Sequence, residues 1–207
     1  MSLTAAAALA RLIEGNRRFA SNVLSVESLL SQLRRAELAQ AVQAPIAAIV
    51  CCSDARSPAE LVFDQGLGDL FVIRVAGNIV APSQIASVEF AAEALATKLV
   101  VVMGHSGCKA IDVTIDAIEG TALSSHHIAS IVDRIRPLVE ALVRSGISDR
   151  ARLSRDAVRA NVRASADRLA EGSPTLQEHL ARGLRIVGAE YQLESGVVDF
   201  FHGVPLA

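Results

Sequence analysis

Two short apolar runs, each flowing directly into residues with soft donor atoms, constrain this chain more than any other feature. Ile46 to Cys51 leads into Cys52-Ser-Asp54-Ala-Arg56, and Leu99 to Gly104 leads into His105-Ser-Gly-Cys108. Runs of this length, unbroken by polar residues, read as strands buried on both faces, the pattern of a parallel sheet. In an open α/β sheet, ligands gather beyond the carboxyl ends of the strands. The two donor-bearing segments therefore fall on one edge of one sheet.

The rest of the chain supports that architecture. Residues 3–20 and about 25–42 carry apolar side chains at helical spacing, Leu9, Leu12 and Ile13 in the first and Leu29, Leu30 and Leu33 in the second, which Pro45 ends. Ser57-Pro58-Ala-Glu60 has the composition of a helix start, with Pro in the first turn. Leu70–Val75 is a second strand, Ala76-Gly-Asn78 a turn, and 83–96 a helix. Helices follow Cys108 to about Glu119 and cover 125–145, 150–171 and 175–182. Strands at 184–189 and 196–201 close the chain as a candidate hairpin. The expectation is an α/β fold: a mostly parallel central sheet flanked by helices. The 207 residues suffice for one domain with a sizeable core, and no linker or repeat divides them.

Charge and cysteine usage narrow the function. A net charge of −2 gives no reason to expect a nucleic-acid or anionic-membrane partner. No apolar stretch is long enough to span a bilayer. The N-terminus lacks a basic region before its apolar residues and runs into Arg11, Glu14, Arg17 and Arg18, so it reads as an amphipathic helix and not a signal peptide. Three cysteines, two of them in donor positions, make no disulfide framework, and a reducing cytoplasm is the expected location.

Two thiols and an imidazole form a donor set suited to zinc. On spacing alone, the ordinary alternative stands beside it: cysteines at strand ends are frequently small buried hydrophobes. Cys51, adjacent to Cys52, points to the opposite face of an extended strand and reads as core. Asp54 can take a fourth zinc position, making the metal structural. It can equally accept a hydrogen bond from metal-bound water while Arg56 holds it in a bidentate pair. His126 and His127, in a polar Ser-Ser-His-His stretch, are proton-shuttle candidates or surface residues of a helix start.

These residues resemble the β-class carbonic anhydrases, which carry Cys-x-Asp-x-Arg and, after a strand, His-x-x-Cys. The likeness extends over Phe63 to Asn78, over the tail from Ile186 to Gly196, and over Glu14-Gly-Asn-Arg-Arg-Phe19. It implies a zinc enzyme with one Zn2+ per subunit that interconverts CO2 and bicarbonate through zinc-bound hydroxide. Cys52, His105 and Cys108 would be the ligands and Asp54 and Arg56 the catalytic dyad. Gln43, Phe71, Ala76 and Phe90 would line the substrate pocket. The resemblance further implies a homodimer or homotetramer with the active site at a subunit interface and N-terminal helices packed on the partner. The single domain would comprise a helical arm over 1–42 and an α/β core over 45–207. Three positions depart from the pattern: Phe90 stands for Tyr, Ser57 for Val and Lys109 for Gly. Hydrolysis of CS2 or COS on the same metal, or a non-catalytic zinc domain with Asp54 as fourth ligand, are the competing expectations. If Asp54 can leave Arg56 and close the site, activity should fall at mildly acidic pH.

Overall fold

The computed structural model describes residues 3–23 and 32–204. Helix α1 (Ala5–Ala20) and α2 (Gln32–Gln40) precede strand β1 (Ala47–Cys51). After β1 come the short α3 (Ala59–Val62), β2 (Leu70–Arg74) and a 3-10 turn at Ala76–Asn78. Then follow α4 (Pro82–Glu93), β3 (Leu99–His105), α5 (Lys109–Ile118), α6 (His126–Arg144), α7 (Arg150–Glu171) and α8 (Pro174–Ala181). Strands β4 (Arg185–Tyr191) and β5 (Val198–His202) complete the chain.

The five strands are ordered β2-β1-β3-β4-β5, parallel except for the antiparallel β4–β5 pair. The expected α/β architecture and terminal hairpin are thus both present. The side-chain period of two sorts the central strands onto two faces. Ala47, Ile49 and Cys51 of β1 and Leu99, Val101 and Met103 of β3 face α1 and α3. Ala48, Val50, Val100 and Val102 face α4, α7 and α8. Every residue of β1 and β3 is buried, which is why these runs contain no polar alternation. A third apolar cluster, from α5, α6 and α7, wraps the carboxyl end of the sheet and includes Cys52 and Cys108.

Within the chain itself, one face of α1 is covered by the sheet and the opposite face is exposed. Ala8, Leu9 and Leu12 are buried against this chain's own sheet. Burial of each Leu contributes roughly 1.5–3 kcal/mol and docks this face of the helix on its own sheet. Asn16 fastens the same helix: its side-chain amide donates to the carbonyls of Val62 (3.1 Å) and Gly196 (2.8 Å), and its oxygen accepts from the Val198 N–H (2.8 Å). For α2, the described helix is shorter than the pattern over 25–42; Leu29 and Leu30 lie outside the described residues. Pro58 is the N-cap of α3, one residue before the helix instead of in its first turn.

Asn16 therefore joins α1, the end of α3 and the start of β5 in one buried node. Asn16→Ala leaves three backbone groups without partners and should cost about 3 kcal/mol. Urea unfolding measures this; a loss below about 0.5 kcal/mol, the size of an ordinary surface substitution, would show that α1 is not docked this way.

Candidate metal centre

Register brings the two donor segments together. Cys51 is level with Arg74 on one side and Met103 on the other, so β1, β2 and β3 end side by side. Cys52 is the first residue beyond β1. His105 is the last residue of β3, one position earlier relative to the strand end than the sequence pattern suggested. The chain then turns through Ser106 and Gly107, and Cys108 becomes the N-cap of α5. Gly104 lets this happen close to α7: a Cβ there would meet Val162 at 2.7 Å and Val158 at 2.9 Å.

Cys52, His105 and Cys108 are all buried, and one donor atom from each lies within 4.8 Å of the others. His105 Nδ1 is 3.0 Å from the Ser106 carbonyl. Donation there fixes the tautomer and leaves Nε2 with a free lone pair. That Nε2 is buried and has no hydrogen-bond partner among the described residues. An orphaned imidazole nitrogen facing two sulfurs fits a metal better than it fits an apolar core. Cys51, in contrast, belongs to the apolar cluster under α1, where burial pushes its thiol up to about 12.

The electrostatics agree with a donor set. Cys52 is lowered to about 4, chiefly by the hydrogen bond from the Cys108 thiol, which together with His105 and the Gly77 N–H outweighs burial. Gly77 donates to the Cys52 sulfur at 3.3 Å, and its φ of 68° in the 3-10 turn aims that N–H at the site. Cys108 is pushed up because its proton is held by Cys52 and because it is buried. Burial opposes protonation of His105, but the Cys52 sulfur and Ser106 carbonyl outweigh it, and the net direction is upward. A dication here would compete with protons for the Cys52 and Cys108 sulfurs.

Asp54 stands beside this group and apart from it. Arg56 occupies both of its oxygens: Nε to Oδ1 at 2.9 Å, Nη2 to Oδ2 at 2.7 Å, and the Arg56 backbone N–H to Oδ1 at 2.9 Å. The Arg56 side chain thereby holds Asp54 well below the usual carboxylate range, against the opposing effect of burial. Asp54 Oδ2 is 3.8 Å from His105 Nε2, beyond hydrogen-bonding distance.

A match to the carbonic anhydrase family model spans residues 47–198, the segment that holds all five of these residues. The chain belongs to the β-carbonic anhydrase family. Carbonic anhydrase 2 of Mycobacterium tuberculosis is 38% identical over 191 residues, covering 92% of this chain and 89% of the relative. The carbonic anhydrase of Mycolicibacterium smegmatis is 35% identical over 194 residues, covering 93% and 91%. Among solved structures, a tetrameric β-carbonic anhydrase from Sordaria macrospora superposes with a TM-score of 0.72 at 26% identity, covering 84% of this chain and 87% of that one.

Of the other site residues expected for a β-carbonic anhydrase, Ala76 lies at this edge of the chain's own sheet, while Gln43, Phe71 and Phe90 do not. Ala76 is adjacent to Gly77 and opens the 3-10 turn. Phe71 is level with Ala48, roughly 10 Å back along the sheet from the end of β1. Its ring lies 6.1 Å from that of Phe90, which is 51% exposed. Gln43 is exposed ahead of β1. His126 and His127 open α6 and touch each other. Behind the 3-10 turn, a cavity of about 560 Å³ is lined by Ile79, Arg134, Asn161 and Arg168, among others, but by none of the donors. The sequence reading missed Gly77 and Arg74. A charged residue ending an otherwise apolar strand was the available signal for Arg74.

The geometry separates the three cysteines. Cys108→Ser should abolish metal binding, whereas Cys51→Ser should retain it and cost about 1–3 kcal/mol for a hydroxyl buried in the core. Elemental analysis of dialysed protein, with urea unfolding, checks both; equal metal loss in the two variants would contradict the assignment.

Proposed function

We propose that this enzyme holds one zinc ion through Cys52, His105 and Cys108 and catalyses reversible hydration of CO2 to bicarbonate, with Asp54 and Arg56 as the catalytic dyad. The observation that carries this reading is the state of Asp54. Arg56 engages both of its oxygens, and its carboxylate stands off the Cys–His–Cys group. A purely structural fourth ligand has no need of such a restraint.

Bound zinc supplies Lewis acidity that lowers the pKa of a coordinated water from roughly 16 to about 7, a figure whose source is carbonic anhydrase itself. The chain's own residues do the rest. The Gly77 N–H draws charge from the Cys52 sulfur and so limits how far two thiolates offset the metal's charge. Asp54, whose charge Arg56 stabilises, would accept a hydrogen bond from the oxygen that attacks CO2 and so orient it. Arg56, exposed at its outer side, presents positive charge where bicarbonate forms. The apolar wall from α5, α6 and α7 limits water at the donors.

The exposed Phe90 and its partner Phe71 support assembly with a second copy. This aromatic pair is set back from its own strand end, and the exposed ring of Phe90 is available to a second copy. We place Phe71, Phe90 and Gln43 in such a shared pocket, with Ala76 beside the metal, in a homodimer or tetramer. The Sordaria macrospora relative is described as tetrameric. We read the chain as one functional unit with zinc as its cofactor, working in a reducing compartment such as the cytoplasm. No helix among the described residues is long and apolar enough to cross a membrane.

Stopped-flow CO2 hydration with zinc quantified tests the proposal. Asp54→Asn should keep its zinc and lose at least about 100-fold in kcat, within the range for a catalytic acid–base residue. Full activity in that variant, or no zinc in the wild type, overturns the assignment. The sign of the pH dependence follows from two groups. Asp54 has a depressed pKa, so its charge is retained until far below neutrality and adds no limb of its own in the mildly acidic range. Activity should instead fall as pH drops through about 7, where the water regains its proton. A flat profile from about pH 6 to 9 would contradict that.

A further inference from the structure

Behind the 3-10 turn, two of the apolar clusters meet without closing. Ile85 of α4 packs with the cluster on the α4, α7 and α8 side of the sheet. Ile79, just past the turn, and Leu138 of α6 pack with the cluster at the carboxyl end. All three line the cavity of about 560 Å³ that opens along this seam. Protein interiors are close-packed, and a space of this volume has the size of a small-molecule site and not of a packing defect.

The polar groups of the cavity fall into two sets. Arg134 of α6 and Arg168 of α7 stand at its exposed rim. Neither guanidinium has a carboxylate partner among the described residues, and Arg134 Nη1 donates to the Ser130 carbonyl of its own helix at 2.6 Å. Two carboxylates also line the cavity. Asp167 is engaged by His202 Nε2 at 2.7 Å, while Glu171 makes no ion pair among the described residues. Two open guanidiniums against one open carboxylate leave an excess of one positive charge, which suits a monoanion and not a dianion. The second set forms the floor. Asn161 is 1% exposed and donates to the Gly77 carbonyl at 2.8 Å. Ser165 is buried beside it, and its hydroxyl donates to the Asn78 carbonyl at 3.3 Å. The floor therefore holds the turn whose Gly77 N–H meets the Cys52 sulfur.

We propose that this cavity binds a small organic monocarboxylate, with its apolar body on Ile79, Ile85 and Leu138 and its carboxylate between Arg134 and Arg168, and that occupancy is transmitted to Cys52 through Asn161 and Gly77. The binding half stands on the cavity alone. The coupling half rests on the metal reading proposed above.

The probe is phenylacetate, with phenylacetamide as its uncharged isostere, titrated calorimetrically into the zinc-loaded protein. Phenylacetate should bind with a millimolar dissociation constant, the range open to a ligand of its size. Arg134→Ala and Arg168→Ala should each weaken it roughly 10-fold, the loss expected for one charge-assisted hydrogen bond. Phenylacetamide should bind the wild type as weakly as phenylacetate binds these variants. Both arginines are exposed, so neither change threatens the fold. Coupling is read as zinc affinity, measured by competition with a chelator. Phenylacetate should shift it at least about 5-fold in the wild type, the lower end of coupling between sites. Arg168→Ala should lose the shift together with the binding, and Asn161→Ala should keep the binding and lose the shift. Equal binding in the wild type and both arginine variants would place the carboxylate on the metal and overturns the site. So does the absence of binding at about 10 mM, the result expected if a partner subunit fills the cavity. Binding without a shift in zinc affinity overturns the coupling. A wild type that binds phenylacetate but no zinc overturns the metal reading and the coupling and supports the site.

Discussion

The parallel pairing of β1 with β3 is the constraint on which the rest depends. It sets Cys51 level with Met103 and so delivers Cys52 and His105 to the same edge of the sheet. Both strands are covered on both faces, which commits each of their residues to packing and leaves only their ends for chemistry. A register slip of one residue would send Cys51 to the site and Cys52 to the core. Burial of the alternating apolar sets under α1 on one side and α7 on the other makes that slip costly. The donor geometry is thus fixed by the hydrophobic core.

Around this edge, nearby backbone groups tune the donors. The Ser106 carbonyl holds one nitrogen of His105, and the Gly77 N–H faces the Cys52 sulfur. The α5 N-terminus begins at Cys108. Backbone dipoles of this kind cost no reorganisation when charge appears. Arg56 and Arg74 act differently from one another. Arg56 grips a carboxylate, while Arg74 grips two carbonyls and therefore conformation. Fixing a main chain and fixing its side chain are separate tasks, and the site assigns a guanidinium to each.

Legibility of the site followed the range of the interactions. Cys52, His105 and Cys108 could be picked out because each sits a fixed step past an apolar run, and Cys51 could be set aside because strand alternation turns it inward. Asp54 and Arg56 were visible as neighbours in sequence, and their pairing is local. Arg74 was not, since its partners are twenty or more residues away and become adjacent only when β2 pairs with β1. Gly77 read as an ordinary turn residue, because nothing local says that its N–H meets a sulfur. The stripe of α1 is legible in the same limited way: it shows that one helix face must be covered but does not name what covers it.

The sequence by itself determined the fold class, the strand-end location of the donors and the soft donor set, because periodicity and side-chain chemistry are properties of short segments. Tertiary structure alone decided which surfaces meet. It put α1 on its own sheet and brought Cys52 within reach of His105 and Cys108. It joined Arg74 of β2 to the carbonyls of Cys52 and Asp54. Those outcomes depend on distances between segments remote in the chain, and such distances are fixed only when the register of the whole sheet is.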